Sequence, residues 1–311
     1  MRRLRSAVIT LFVVVSFNFF LFRAAPGDAV SSFAVTPLSA QARANLRHEF
    51  QLDQPLWRQY LAYLDQLLHG NLGRSFQTAQ PVSSILWRDL QNTVPMVLLG
   101  TVFAAVMGTL LGTMAAWRRG TFFDRSSVGG ALALSALPSQ WLGLVGILLF
   151  AGVLPTSGRV DDFVSSSGWA HIVDVTRHMI LPSATIAVVL LGQYVLLSRA
   201  AVLDTLRQDF VLAARAEGNR DRYVLWRRAF PNALLPMTTV FALSMGQVVA
   251  GSILVETVFS WPGIGREVYD AVLGRDYPVL EGAFLVLTIS VLVCNLCADL
   301  LYAKLDPRVS V

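Results

Sequence analysis

DFVLAARAEGNRDRYVLWRRAFPNALLP, residues 209–236, is an arginine-rich amphipathic stretch set between two strongly apolar segments. It reads as two short helices. Val202, Leu206, Phe210 and Ala213 recur every three to four residues and predict one apolar face for the first. Gly218, with Asn219 beside it, supplies the left-handed conformation that ends that helix. A second helix is expected over 221–230, carrying Arg222, Arg227 and Arg228 and closing at Pro231. The small residues Ala213, Ala214 and Ala216 leave room for another backbone to approach. Two readings stand at this level: a surface that grips a partner protein, and a solvated basic loop held near anionic lipid.

Composition gives the surroundings of that loop. Of the 311 residues, 54% are hydrophobic and 14% charged, and the mean hydropathy is +0.55. Soluble domains carry about 25% charged residues, so the deficit points to lipid as solvent. The net charge of +5 is not gathered on one soluble domain, so no nucleic-acid partner is expected. Cys294 and Cys297 both fall in an apolar run, so they imply no disulfide framework. The single lysine, Lys304, follows no glycine-rich loop. A phosphate-binding P-loop needs that lysine, which excludes an ATPase of this type within the chain.

Six stretches are long enough to cross a bilayer core of about 30 Å: approximately 7–22, 93–116, 128–150, 180–197, 234–254 and 282–302. The first follows MRRLR, and its exit, FRAAPGDAV, lacks a small-x-small cleavage site near the apolar run, so it reads as an uncleaved span rather than a signal peptide. With the N-terminus inside, the inner segments hold Arg2, Arg3, Arg5, Arg118, Arg119, Arg125, seven arginines of the loop over 198–233, Lys304 and Arg308. The two short outer loops hold only Arg159, Arg177, Arg266 and Arg275. This asymmetry predicts that both termini and the basic loop are cytoplasmic.

Glu256, Glu281 and Asp299 lie at span ends, where water or headgroups are expected to reach them; a proton relay would need an ionisable group at mid-span. Interior polarity comes instead from Gln140, Gln193, Gln247 and Asn295, which either hydrogen-bond neighbouring helices or line a translocation path. The long outer loop, 24–92, contains LDQPLWRQYLAYLDQLL. Leu56, Tyr60, Tyr63 or Leu64, and Leu67 predict an amphipathic helix capped by Asp53, with Pro55 in its first turn and Gly70 as its stop. No metal site is assigned, because His48, His69, His171 and His178 show no ligand spacing to one another.

At this point the loop resembles a known motif. Bacterial ABC importer permeases carry Glu-Ala-Ala, three residues, Gly, nine residues and then Ile-x-Leu-Pro on a cytoplasmic loop. Leu212-Ala213-Ala214, Gly218 and Arg228-Ala229-Phe230-Pro231 fall at those spacings. The two alanines, the glycine and the proline match, while Leu212 replaces the glutamate and Arg228 and Phe230 replace aliphatic residues. The dipeptide/oligopeptide/nickel branch is closer, with a motif like ARAKG followed by NALLP. Here the residues are Ala214-Arg215-Ala216-Glu217-Gly218 and Asn232-Ala233-Leu234-Leu235-Pro236. Pro26-Gly27-Asp28, LDQPL (52–56), GNLGRSF (70–76), VFSWPGIGR (258–266), RDYP (275–278) and LDPR (305–308) also resemble that branch.

The resemblance implies an all-α membrane protein, with the six transmembrane helices of the type I ABC importer permease fold and a small extracytoplasmic helical insertion after the first helix. Its parts are an N-terminal transmembrane helix (1–23), an extracytoplasmic cap (24–92), a five-helix permease core (93–302) containing the coupling loop 198–233, and a cytoplasmic tail (303–311). The residues coupling to an ATPase would be Ala213, Ala214, Arg215, Ala216, Glu217, Gly218, Asn219 and Pro231. The implied partners are a second permease subunit, two ATP-binding subunits that hold ATP and Mg²⁺, and an extracytoplasmic substrate-binding protein. This chain itself would bind no cofactor, and it would lie in the bacterial inner membrane. The cargo would be di- or oligopeptides or a related solute such as a nickel chelate, glutathione or an oligosaccharide.

Two other classes compete. A secondary transporter or channel would need no ATPase, but the absence of mid-span charges argues against its proton-coupled form. A membrane enzyme would have to use Cys294-x-x-Cys297, which shares one helix face but sits where cysteine is normally a small buried hydrophobe.

Overall fold

The computed structural model describes residues 2–24, 53–161 and 167–305. Residues 26–28, His48, Leu52 and 306–308, invoked above, lie outside the described residues, as do the side chains of Gln247, Asp299 and Lys304. The helices in order are α1 (Arg2–Ala24), α2 (Leu56–Leu68), α3 (Val82–Trp117), α4 (Phe122–Ala136), α5 (Ser139–Phe150), α6 (Trp169–Thr205) and α7 (Asp209–Ala216). They continue with α8 (Phe230–Gly251), α9 (Ile253–Val258), α10 (Ile264–Gly274) and α11 (Tyr277–Leu305).

Among the described residues, four stretches are long and apolar enough to cross a membrane: Arg5–Arg23, Val82–Trp117, Trp169–Thr205 and Tyr277–Cys297. The pair α4 and α5 adds a fifth if taken together, but it is bent by 103°. The straight span expected over 128–150 is therefore broken. Pro138 is the cause: it disfavours helical backbone at the residue before it, and Leu137 is extended at φ −84°, ψ 133°. α3 and α6 begin at Val82 and Trp169, roughly three turns before their apolar windows. Hydropathy marks where a helix turns apolar, which is not where it starts.

The chain divides into two compact units. In the first, Met1–Asn92 with Pro262–Ser290, α2 lies along α1. Tyr60 OH and Ser16 Oγ share a 2.6 Å hydrogen bond, and the fully buried Phe19 stacks on Tyr63. Tyr60, Tyr63, Leu64 and Leu67 are half-buried as expected, whereas Leu56 is exposed. Asp53 does not cap the helix: it starts after Pro55 with no side-chain cap. Gly70 does follow its end, at φ +73°. Glu281 is buried and ion-paired to Arg23, so the expectation that water reaches it is corrected.

Two signature segments some 200 residues apart meet in this unit. Buried Asp276, of RDYP, accepts hydrogen bonds from Ser75 Oγ (2.6 Å) and Phe76 N (3.0 Å) of GNLGRSF and from the following Gln77 N (3.2 Å). A carboxylate bonded to two main-chain donors and a hydroxyl holds that turn at the start of α11. On α10, burial, and after it the nearby Asp89 carboxylate, pushes the Glu267 carboxyl up to about 7.

The second unit, Thr93–Trp261 with Val291–Val311, is organised by a close crossing of α3 and α6. Gly100, Ala104, Gly108 and Gly112 recur every four residues on α3 and so share one face. A Cβ on Gly100 would meet the Ser183 carbonyl at 2.6 Å, and one on Gly112 would run into Ser198 Oγ and the Val195 carbonyl. Ser183 Oγ reaches back to the Met96 carbonyl at 3.0 Å and Ser198 Oγ to that of Gly108 at 3.3 Å. Small residues and serine bonds of this kind hold helices together where lipid removes the hydrophobic drive. α4 joins the same seam, because Gly192 of α6 lies against the Ala131 carbonyl.

Glu256 also belongs to this unit. It is fully buried, and its Oε1 accepts from Thr93 Oγ1 at 2.7 Å and Ser252 Oγ at 2.9 Å. The expected exposure at a span end fails here because the chain breaks between α8 and α9 at Ser252 and directs the carboxylate inward.

Gly112→Val is expected to cost about 1–3 kcal/mol by overpacking the seam. Gly129→Val on α4, where an added Cβ meets nothing within 4 Å, serves as the control. Thermal unfolding of the purified protein in detergent checks this, with a lower midpoint expected for Gly112→Val alone.

Candidate coupling site

The basic loop hangs from the C-terminal end of α6. That helix stops at Thr205, and Leu206, Arg207 and Gln208 form a tight turn closed by Arg207 N to Asp204 O and Gln208 N to Thr205 O. The turn resets the helical phase, which overturns the expected apolar face. Val202 is buried and Leu206 half-buried, but Phe210 and Ala213 are exposed. On α7 the buried stripe is instead Val211 and Ala214, packed with Val224 and Ala229 and flanked by Leu206.

The end of α7 follows its sequence closely. Asp209 in the first turn and Arg215 in the last both oppose the helix dipole favourably. Gly218 N donates to Arg215 O, and Gly218 is left-handed at φ +80° with nothing within 4 Å of an added Cβ. Its requirement is therefore conformational, not one of space. Asn219 Nδ2 donates to the free Ala214 carbonyl at 2.9 Å and to Glu217 Oε2 at 3.1 Å, satisfying one of the helix's orphan acceptors. Arg215 and Asp221 face each other at 3.8 Å on the surface, a contact worth little by itself.

The returning limb differs from the expected second helix. Asp221–Tyr223 forms one helical turn, Val224–Ala229 is π-helix, and α8 follows without a break. Pro231 does not close a helix; it lies in the first positions of α8, where the hydrogen-bond pattern changes from π to α and its missing N–H does least harm. Asn232 Nδ2 supplies a donor to the Arg228 carbonyl at 2.7 Å. Successive residues of the π-helix face two ways. Val224 packs on α7, while Leu225 packs with Ala116 of α3, Val202 of α6 and Ala233 of α8.

What α7 leaves uncovered is Phe210, Leu212, Ala213, Arg215, Ala216, Glu217 and Gly218. Arg222, Arg227, Arg228 and Pro231 are exposed on the returning limb. Of the expected coupling residues, Ala214 is spent inside the loop and Asn219 on the helix end, and the rest are available at the surface. This surface is apolar at its small residues, rimmed with charge, and fixed from beneath by three helices.

Comparison with known proteins agrees with this architecture. The model of the binding-protein-dependent transport system inner membrane component matches residues 108–311, and that of the N-terminal region of the same systems' membrane component matches 1–97. The chain belongs to this permease family. The di/tripeptide transport system permease protein DppB of Pseudomonas aeruginosa is 36% identical over 99% of this chain and 97% of its own length. The dipeptide permease DppB of Escherichia coli K12 is 34% identical over the same shares. Among solved structures, an inward-facing form of the MetNI methionine ABC transporter superposes with a TM-score of 0.60 at 16% identity, covering 71% of this chain and 96% of that one. An amino acid ABC transporter gives 0.51 at 12% identity, covering 73% and 95%.

Gln140 is half-buried in the first turn of α5, Gln193 is exposed on α6 and Asn295 is half-buried on α11. No hydrogen bond joins any two of these three described side chains. One contact between α4 and α6 leaves no local signal in the sequence. Buried Asp124, at the start of α4, receives Arg199 of α6 in a two-point contact, Nε to Oδ1 at 2.6 Å and a terminal nitrogen to Oδ2 at 3.0 Å. Gly120 N adds a third donor at 2.9 Å. In the sequence Arg199 counts only among the seven arginines of the loop, and 75 positions separate it from Asp124.

Asp124→Asn should destabilise the permease by about 3 kcal/mol, because it leaves the Arg199 charge without its partner. The double variant Asp124→Leu, Arg199→Met should recover part of that loss in the same melting assay. A double variant no better than the single one would contradict the assignment.

Proposed function

We propose that this chain is one permease subunit of an ATP-driven importer of short peptides, and that α7 with the following π-helix receives the ATPase cycle. The peptide class rests on near full-length similarity, 32–36% identical, to dipeptide and di/tripeptide permeases. The coupling role rests on one observation: α7 buries Val211 and Ala214 against the returning limb and leaves its opposite face exposed, open to a groove. ATP and Mg²⁺ belong to two partner ATPase subunits, since this chain has no P-loop lysine. A second permease subunit completes the pathway, and an extracytoplasmic binding protein delivers the peptide.

The full fold in this reading has six spans. α8 has 22 residues and is about 33 Å long, enough to match a bilayer core of about 30 Å. With α4 and α5 as one broken span, it brings the four straight spans to six. Both termini and the coupling loop then face the cytoplasm, and the turn that Asp276 holds faces outward with α2.

Motion passes through packing. A push on α7 reaches Val224 and Ala229, and the adjoining Leu225 transmits it to the ends of α3 and α6. Because that packing is dense, displacement moves the helices as bodies instead of being absorbed locally.

Gly218→Val should abolish peptide uptake and peptide-stimulated ATPase activity in the assembled transporter while leaving membrane insertion intact, because a β-branched residue is strongly disfavoured at φ > 0. Gly218→Asn, which tolerates that conformation, should retain most of both activities. Unchanged uptake by Gly218→Val would sink the coupling role.

A further inference from the structure

Asp161, Asp174 and His178 each offer a ligand atom within 4.8 Å of the other two, although the sequence shows no ligand spacing among its histidines. The donor pattern at His178 decides what this cluster can hold. Its Nδ1 lies 2.9 Å from the Asp174 main-chain carbonyl. A carbonyl only accepts, so Nδ1 carries a proton, and Nε2 is the ring nitrogen left to face a ligand. Nε2 faces the Asp161 carboxylate, with Oδ1 at 3.5 Å, while Asp174 Oδ1 lies 3.5 Å from Nδ1. Nε2 and the carboxylate, opposed in this way, are bridged either by a second ring proton or by a cation.

We propose that these three residues form a binding site for one divalent first-row transition ion of the zinc type. Four features support it. Zinc–nitrogen and zinc–oxygen bonds of 2.0–2.2 Å in a tetrahedron set neighbouring ligand atoms about 3.4 Å apart, close to the 3.5 Å between Nε2 and Oδ1. A ring N–H donated to a main-chain carbonyl is the usual way a metal-binding histidine is oriented. The Asp174 carboxylate is likewise fixed, with Oδ2 accepting from Asp161 N at 2.8 Å. Finally, the His178 side chain is 2% exposed and that of Asp174 8%, whereas that of Asp161 is 63% exposed, giving a preformed floor with one open side. One nitrogen and two carboxylates suit a borderline cation, with water in the remaining position. Bound there, the ion would staple Asp161 to the first turns of α6.

The test uses the purified transporter, stripped with chelator, dialysed against Zn²⁺ and then assayed for bound metal by mass spectrometry. Wild type should retain one zinc per copy of this chain above the level of His178→Gln. Asp161→Asn, whose exposed side chain spares folding, should weaken retention at least about tenfold. Co²⁺ loading should give the visible d–d bands of a low-coordinate nitrogen–oxygen site, lost in both variants. Three results would overturn the site. They are no retained metal in wild type, as an imidazolium–carboxylate cluster would give; equal retention in both variants, meaning an adventitious ion only; or a thiolate charge-transfer band, placing the ion at Cys294 and Cys297.

Discussion

The crossing of α3 and α6 is the constraint on which the rest of the second unit depends. Gly100, Gly108 and Gly112 bring two long helices within backbone distance, and two serine hydroxyls close the seam. In lipid, helix association draws on close packing and interhelical hydrogen bonds rather than on expulsion of water, so a seam of missing side chains is a direct source of stability. It also fixes where the two helices end. Ala116 and Val202 arrive side by side, and only there can Leu225 pack against both.

From that platform the basic loop acquires its mechanics. It is not a flexible tether, because each limb is anchored: α7 by Val211 and Ala214, the returning limb by Val224, Leu225 and Ala229. The π-helix is the economical way to do this. Its wider turn lets neighbouring residues Val224 and Leu225 serve two different clusters and carries the chain past Pro231 into α8 without a break. The Asp124–Arg199 contact braces the same region from α4. In the proposed mechanism a partner's closure therefore acts on a rigid lever instead of on a coil.

Much of this was legible in the sequence, for identifiable reasons. Gly218 and Asn219 announce a helix end, and both behave as their chemistry requires. The apolar windows locate the straight spans because the bilayer demands about 20 apolar residues. What failed were inferences that carried a helical phase across an unseen break. The turn at 206–208 moved the buried stripe from Phe210 and Ala213 to Val211 and Ala214, Pro138 broke an apolar run by 103°, and the break at Ser252 buried Glu256. Pairings across long separations, such as Asp276 with Ser75 or Asp161 with His178, are set by the fold and leave no local signal. The intramembrane amides, conspicuous in the sequence, are not joined to one another by hydrogen bonds among the three whose side chains are described.

The central claim is that the outward face of α7 is where another protein's ATP cycle enters this one. Site-specific photocrosslinking from position 213 in the assembled transporter tests it most directly, with Leu132, exposed on α4, as the control position. Position 213 should crosslink to the ATPase subunit, with a yield that changes between nucleotide-free and ATP-bound states, and position 132 should not. Crosslinking from position 213 to lipid alone, in either state, would contradict the account.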